Sequence, residues 1–562
     1  MLYSRWLLLL ASAHAHGTTV CPLLGPAFPA PTALSKDETF LSATEGLTSK
    51  LHKAIDNGDL PSISFALQIF NDQEPDSAFS FYHTDEIIKF GNVGVNEVDE
   101  NTIFRIGSIS KLWTMFLYMT FGGIRHFHEP ITKYIPELRA NQGSSKSSNA
   151  IDQVQWEDVT IGELASHQAG ILNNYGLLDL GSQQNTLQNQ GFPELSESEQ
   201  VPCGNTRLCD RAEFFDGVLE RHPLAATSYT PLYSNSGYQI LGYALESILG
   251  ASYEDILLDR LIKPLNLTQS SLNAPNPDLA VIPFNETFSF FNFEFGDAGS
   301  VGGIYSSTKD MATFGRAILS NTLIEPAITR RWLKPATHTS SLRSSVGAPW
   351  EIYSHSTPRR VDLYSKAGDI GSYSSFLGLS PDHDIGFTIL VAGSSNSHQS
   401  TAVIADIVAD TLLPTLDTVA RNQALERFGG DYELSTGGSN SSIAISADDS
   451  PGLHIERWIS DSVDMYETLM TLTGVTDASA ISIRLQPNGL RSSGRIRFTA
   501  VIYTLETPPD AGPISGSCVS WFLVDQFVYG NVGLSDFEFE LDDNGYATSI
   551  SPQALRMTIP RV

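Results

Sequence analysis

A chain of 562 residues exceeds what one hydrophobic core usually supports, so two or three domains are expected. Hydrophobic residues make up 41% and charged residues 17%, a globular composition rather than a disordered one. A net charge of −29 repels nucleic acid and anionic membrane surfaces, which excludes both as partners and says nothing more about substrate.

In chain order, the first residues read as an export signal, placed at 1–15. Met1 to Arg5 is a short basic start, Trp6 to Ala11 an apolar run, and Ala13-His14-Ala15 a small-x-small cleavage site. The alternative is an uncleaved N-terminal anchor, but the run is too short to span a bilayer and no later segment reaches about 20 apolar residues. A Pro- and Ala-rich lead (16–39) follows. Pro61 to Phe70 predicts a strand, and Phe104 to Phe121 (FRIGSISKLWTMFLYMTF) a loop entering an apolar helix. The region 151–320 predicts mostly helices with long polar loops. Ser374 to Val391 predicts a hairpin around SPDHD, and Ala402 to Leu413 a helix closing the domain. A second unit starts near Gln423 (423–562). There FGGDYEL, RIRFTAVIY, VSWFLVDQFVY and FEFELDD predict a small all-β sandwich or barrel.

Four cysteines, Cys21, Cys203, Cys209 and Cys518, allow three pairings. Cys203 and Cys209 in CGNTRLC suit a small closed loop, which leaves Cys21 for Cys518. Free buried thiols are the alternative, disfavoured in an oxidising compartment. No zinc-like spacing exists, so no metal is implied. Asn266, Asn285 and Asn440 begin Asn-x-Ser/Thr triplets, which together with an export signal fit a secreted glycoprotein.

The chemistry centres on a serine and a lysine. A serine nucleophile needs a base for its proton and donors for the oxyanion that develops on the attacked carbonyl. Ser108 and Lys111 lie three apart where the apolar helix begins, one turn apart on one face. Burial in that helix lowers the lysine pKa toward that of a base. A second Ser-x-x-Lys, Ser306 to Lys309, precedes an amphipathic helix and reads as a helix-capping region. Tyr233 and Asn235 form a Tyr-x-Asn in a loop running into a helix, which puts a phenol against the serine and an amide against substrate. Lys366 and Gly368 form a Lys-x-Gly at a strand end, where the Asp369 N–H can join that of Ser108 as an oxyanion hole.

Ser108-x-x-Lys111, Tyr233-x-Asn235 and Lys366-x-Gly368, in this order, resemble the serine β-lactamase-like superfamily: class C β-lactamases, penicillin-binding D,D-peptidases and related esterases. LASHQAGI (164–171), PLNLTQS (264–270) and GSVGGIYSSTKDMATFGRAIL (299–319) are similar too. The resemblance covers roughly 40–415; FGGDYEL resembles the β-barrel appendix of many members, and the whole is similar to fungal secreted β-lactamase-like proteins. It implies an α/β (α+β) fold: an antiparallel sheet flanked by helices, a helical subdomain and a C-terminal all-β domain. It also implies that Ser108 attacks an acyl carbonyl, that Tyr233 and Lys111 share the base role, and that Asn235 and Lys366 orient a small acyl substrate without a cofactor. Oligomeric state is left open.

Two departures bear on substrate. The third motif is usually Lys-Thr-Gly followed by Ser or Thr; here Ala367 lacks the hydroxyl and Asp369 sets an anion where an anionic substrate would dock. A neutral ester, lactone or amide is therefore expected. The alternatives are a D-amino-acid-type peptidase or true β-lactamase, and a catalytically idle binding protein. His167 reads as a structural histidine in a tight turn, because no Gly-x-Ser-x-Gly elbow accompanies it. Trp350 reads equally as cleft lining or core.

Overall fold

The structure, a computed structural model, describes residues 21–139, 149–177, 179–204, 207–356, 359–393, 397–504, 512, 514 and 517–562. The expected export signal (1–15) lies outside the described residues, as does the lead as far as residue 20.

The first sheet contains β1 (Ile63–Asn71), β2 (Phe79–His83), β3 (Thr337–His338), β4 (Ser344–Val346), β5 (Glu351–His355), β6 (Val361–Ile370), β7 (Tyr373–Ser380) and β8 (Ile385–Gly393). Its order is β2-β1-β8-β7-β6-β5-β4-β3, antiparallel throughout. The expected strand at 61–70 and the hairpin around SPDHD are β1 and β7–β8.

Alternation along the strands assigns the two faces. Phe65, Leu67 and Ile69 of β1 join a core with α1 (Glu38–Asp56) and the first half of α5 (Ser397–Phe428), whereas Ala66 and Phe70 join the core on the opposite face. That opposite layer holds α2 (Ser110–Phe121), α3 (Asn235–Leu249) and α4 (Thr308–Leu319). Ser110 to Met119 of α2 are all buried, as a helix apolar on every side requires. Trp113 stacks on Phe314 of α4 at 4.9 Å. Within 151–320 the helical stretches of ten or more residues are 180–190, Arg211–Glu220, α3, 253–265 (α-helix with a π turn in its middle) and α4; the rest are shorter.

The helix expected at Ala402–Leu413 runs instead to Phe428, straight through Pro414. An interior proline costs roughly 3 kcal/mol. Burial of Leu412, Leu413 and Leu416 around it offsets that cost. Farther along, Ala420, Ala424 and Phe428 enter the core of the C-terminal sheet, so one helix serves both cores. Asp417 anchors its middle. Its carboxylate takes Arg359 and His383 at 3.0 Å each, and Ser380 bonds the other nitrogen of His383 at 2.8 Å. This serine, histidine and aspartate are all buried, and they brace the β7–β8 turn against α5.

The second sheet runs β9 (Gly430–Thr436), β10 (Ser439–Ser446), β11 (Leu453–Ser460), β13 (Ile481–Ser492), β14 (Arg495–Thr504), β15 (Asp536–Leu541), β16 (Ala547–Pro552) and β17 (Ile559–Pro560), with β12 (Val463–Asp464) on β11. A bridge from Tyr432 to Arg561 brings the last strand back to the first and nearly closes it. The Arg561 guanidinium donates to the carbonyls of Glu426, Arg427 and Gly429, satisfying the end of α5. The strand expected over 519–529 is absent: Ser520–Leu523 is a helical turn and Val528–Tyr529 a short ribbon strand. The Cys21–Cys518 disulfide and a bond from the Ser520 hydroxyl to the Pro22 carbonyl hold this stretch against the N-terminal lead instead. Cys203 and Cys209 form the second disulfide.

Phe428 packs on Phe498 and Phe539, ring centroids 5.2 and 5.1 Å away. Phe428→Ala is expected to cost about 3–5 kcal/mol. Urea unfolding checks this; a loss under about 1 kcal/mol would mean that α5 does not anchor the C-terminal sheet.

Candidate active site

Ser108 sits in a single helical turn, Gly107–Ile109, that leads into α2. Lys111 follows in the first turn of α2 with no solvent exposure. Its Nζ donates to Ser108 Oγ at 2.9 Å and to the Val301 carbonyl at 2.8 Å. The Tyr233 hydroxyl donates to the same Ser108 Oγ at 2.8 Å. Residues 125 positions apart thus converge on one oxygen.

Tyr233 is aimed by the start of α3. Ser234 caps that helix, its Oγ accepting from the Gly237 N–H at 2.8 Å and donating to the Leu172 carbonyl at 2.7 Å. His167, at φ 60°, is buried behind it. Its Nδ1 accepts from the Ser234 N–H at 3.1 Å, its carbonyl accepts from the Leu232 N–H at 2.7 Å, and its ring lies 4.5 Å from that of Tyr233. Burial and the charges of Lys111 and Lys366 hold the His167 pKa far below the ordinary range, so the ring is neutral. The histidine of the tight turn is therefore the seat of the tyrosine.

Asn235 opens α3 and donates to the side-chain oxygens of Asn174 at 2.9 Å and Asn173 at 3.3 Å. Lys366 and Gly368 lie on β6. Lys366 is buried and ion-paired to Glu351 on neighbouring β5, whose other oxygen accepts from the Ala367 N–H at 3.0 Å. Gly368 must be glycine: a Cβ there would sit 2.7 Å from the Ser108 nitrogen. In the reverse direction, a Cβ on Gly107 would sit 2.7 Å from the Asp369 nitrogen. The Ser108 turn and the end of β6 therefore touch backbone to backbone. The Asp369 carboxylate takes the Ser374 hydroxyl at 2.6 Å and His398 Nδ1 at 3.0 Å, at the cleft mouth.

Burial pulls the Lys111 pKa down to about 8; the Tyr233 hydroxyl opposes that shift and the Lys366 charge adds to it. Burial pushes Tyr233 up, but the charges of Lys111 and Lys366 and its hydrogen bonds to Lys111 and Ser108 outweigh it, and its pKa falls below the usual phenol value. For Lys366, burial pulls down while Glu351 and Tyr233 pull harder upward, so it stays charged. With every proton in place, Lys111 and Tyr233 both donate to Ser108 Oγ. Loss of one proton lets the pair accept from it instead.

Three features went unread in the sequence. Glu351 is 15 positions from Lys366 and meets it only through the β5–β6 register, in which Glu351 faces Ser365. Asn173 and Asn174 carry no signature beyond following LASHQAGI. The aromatic run FNETFSFFNFEF (284–295) folds over the cleft. Trp350, read two ways, is core: its ring lies between Trp332 and Tyr364, 5.0 and 6.0 Å away. Ser307, not Ser306, caps α4, and Lys309 is an exposed partner of Glu100. Asn266, Asn285 and Asn440 are all exposed. Among the described residues no group of His, Cys, Asp and Glu could hold a metal ion.

An antiparallel sheet between helical layers, with Ser-Lys, Tyr and Lys-x-Gly meeting in its cleft, defines the β-lactamase-fold hydrolases. The chain belongs to the Beta-lactamase family, whose sequence model matches residues 67–410; a model described as Beta-lactamase-like-like, C-terminal domain, matches 420–562. It is 27% identical over 584 aligned positions to a beta-lactamase-like protein of Arthroderma benhamiae (96% of this chain, 95% of the relative). It is 25% identical over 598 positions to a probable hydrolase of Phoma sp. (99% and 94%). Among solved structures it is similar to a class C beta-lactamase from Rhodobacter sphaeroides, with TM-score 0.46 and 16% identity over 65% of this chain and 99% of that chain.

Two outcomes follow from the geometry. The rate at which a neutral phosphonate modifies Ser108 is expected to rise about tenfold per pH unit and level off above about 8, as Lys111 sheds its proton. A flat profile from pH 6 to 9 would contradict this. Gly368→Ala is expected to lower the same rate about 100-fold by pushing β6 off the Ser108 turn.

Proposed function

We propose that this protein is a secreted serine acyl-transfer enzyme acting on a neutral ester, lactone or amide through a covalent Ser108 acyl-enzyme. The observation that carries the reading is Ser108 Oγ held at once by Lys111 Nζ and the Tyr233 hydroxyl. Ser108 Oγ attacks the acyl carbonyl carbon, and its proton passes to the Lys111–Tyr233 pair. The backbone N–H groups of Ser108 and Asp369 receive the oxyanion. Tyr233 returns the proton to the departing alcohol or amine as the carbon–leaving-group bond breaks. Water, or an alcohol or amine, then attacks the Ser108 ester by the reverse sequence and frees the acyl group. Asn235 orients the substrate carbonyl group, and Lys366 lends its charge to Tyr233 from 5.4 Å. No cofactor enters the scheme.

A true β-lactamase or a peptidase for carboxylate-ended peptides needs a free cation for the substrate carboxylate. Glu351 occupies Lys366, and Asp369 adds an anion at the mouth, which favours a neutral substrate. The intact cluster weighs against an idle binding protein. Two disulfides favour an oxidising compartment and hence export, and among the described residues no helix is long and apolar enough to cross a membrane.

Purified protein is expected to release p-nitrophenol from p-nitrophenyl acetate, with activity abolished in Ser108→Ala and lowered about 10²- to 10⁴-fold in Tyr233→Phe. Unchanged activity in Ser108→Ala would remove the nucleophile. Nitrocefin is expected to turn over far more slowly than the ester; efficient nitrocefin hydrolysis would overturn the neutral-substrate reading.

A further inference from the structure

Beside Ser108 the cleft deepens into a chamber of about 330 Å³, room for about ten water molecules at roughly 30 Å³ each. Its walls are apolar. Phe290, Phe293 and Phe295 line it together with Leu177, Leu208 and Phe214. Leu177, Leu208 and Phe290 are 38%, 37% and 44% exposed, yet all three rim this one space. Large apolar side chains left open around a concave site mark a binding surface rather than ordinary surface scatter. The residues with polar side chains on its lining are Ser108, Asn174, Tyr175, Asn235, Ser236, Gln239 and Asp369. None of these side chains is a cation.

The aromatic wall is built, not incidental. Six of the twelve residues 284–295 are phenylalanine. Arg105, three residues before Ser108 and 1% exposed, donates from one terminal nitrogen to the carbonyls of Phe290 and Phe293 at 2.7 Å and of Phe291 at 3.3 Å. Its guanidinium lies over the rings of Tyr305 and Phe295, 4.5 and 5.1 Å from their centroids. Turning these carbonyls inward onto a buried cation leaves the rings of Phe290, Phe293 and Phe295 on the chamber, while Phe291 packs into the core against Tyr305. Leu208 precedes Cys209, and the Cys203–Cys209 disulfide packs so closely on Gly176 that a Cβ there would lie 2.7 Å from Cys209 Sγ. Arg105 and this disulfide hold parts of the lining in place, which spares a ligand the cost of ordering them.

We propose that this chamber is an acyl-group subsite that selects an uncharged, bulky apolar acyl chain or aryl-alkyl group, with Arg105 as the residue that positions its aromatic wall. The inference rests on Ser108 as nucleophile. The acyl side is assigned by direction. Tyr233, the proton donor to the leaving group, lies outside the chamber lining, whereas the chamber runs from Ser108 along Asp369, Ile370 and Gly371. The leaving group departs toward Tyr233 and the acyl chain occupies the chamber.

Three ester sets on the full chain test this: p-nitrophenyl acetate through octanoate, acetates of lengthening alcohols, and p-nitrophenyl esters of hexanoate against a half-ester ending in carboxylate. In the first set kcat/KM is expected to rise about fourfold per methylene until the chamber fills, from a transfer gain of about 0.8 kcal/mol per methylene. The terminal carboxylate is expected to erase most of that gain, and Phe293→Ala to flatten the slope. A flat or falling acyl series with Ser108-dependent acetate turnover would overturn the subsite and leave the nucleophile standing. So would a length dependence confined to the alcohol. Modification of Ser108 by methyl to octyl fluorophosphonates gives a readout independent of turnover: acceleration with length supports the subsite. No modification at any length removes the nucleophile and the subsite with it.

Discussion

The burial of the Lys111 ammonium is the constraint on which the rest of the site depends. A cation taken fully out of water is costly unless its donors find acceptors. Here they find Ser108 Oγ and the Val301 carbonyl, and the faces of Tyr233 and Tyr238 lie 5.1 and 5.8 Å away. The apolar wrapping of α2 that produces the burial is the same feature that makes α2 the centre of the helical layer. Packing and chemistry are therefore one requirement: a looser α2 would hydrate Lys111 and return it to an ordinary, fully charged lysine.

A second lysine nearby lowers the Lys111 pKa further. Glu351, by pairing with Lys366, keeps that second lysine protonated despite its burial. Tyr233 then sits between two cations, which lowers its pKa against the effect of burial. His167 completes the arrangement without a charge of its own. Its ring backs the tyrosine and its nitrogen fixes the backbone at Ser234, which holds the phenol toward Ser108 and Lys111. The sheet contributes closeness: Gly107 and Gly368 let β6 approach the Ser108 turn to a separation that side chains would forbid.

What the sequence disclosed follows the range of the interactions. Ser108 and Lys111 are one helical turn apart, so their meeting is local and could be read from spacing and the apolar run after them. The apolar runs of β1, β7 and β8 and the SPDHD turn were legible for the same reason. Glu351 was not, because its partner is set by the β5–β6 register and no local pattern specifies it. α5 was underestimated because Pro414 reads as a stop; only its partners in two separate cores explain why the helix continues. VSWFLVDQFVY carries strand-forming residues, yet the tether from Cys518 to Cys21 and the Pro22 contact override that preference. Asp369, read as an anion facing substrate, does stand at the cleft mouth, but His398 and Ser374 share its charge.

The central claim is that a substrate acyl group becomes covalently attached to Ser108. Acid quenching during turnover of a slowly hydrolysed p-nitrophenyl ester, followed by peptide mass mapping, tests it most directly. The account predicts a mass increment equal to the acyl group on the peptide containing Ser108, and none in Ser108→Ala. An acyl increment on a different residue, or turnover with Ser108 never modified, would contradict it.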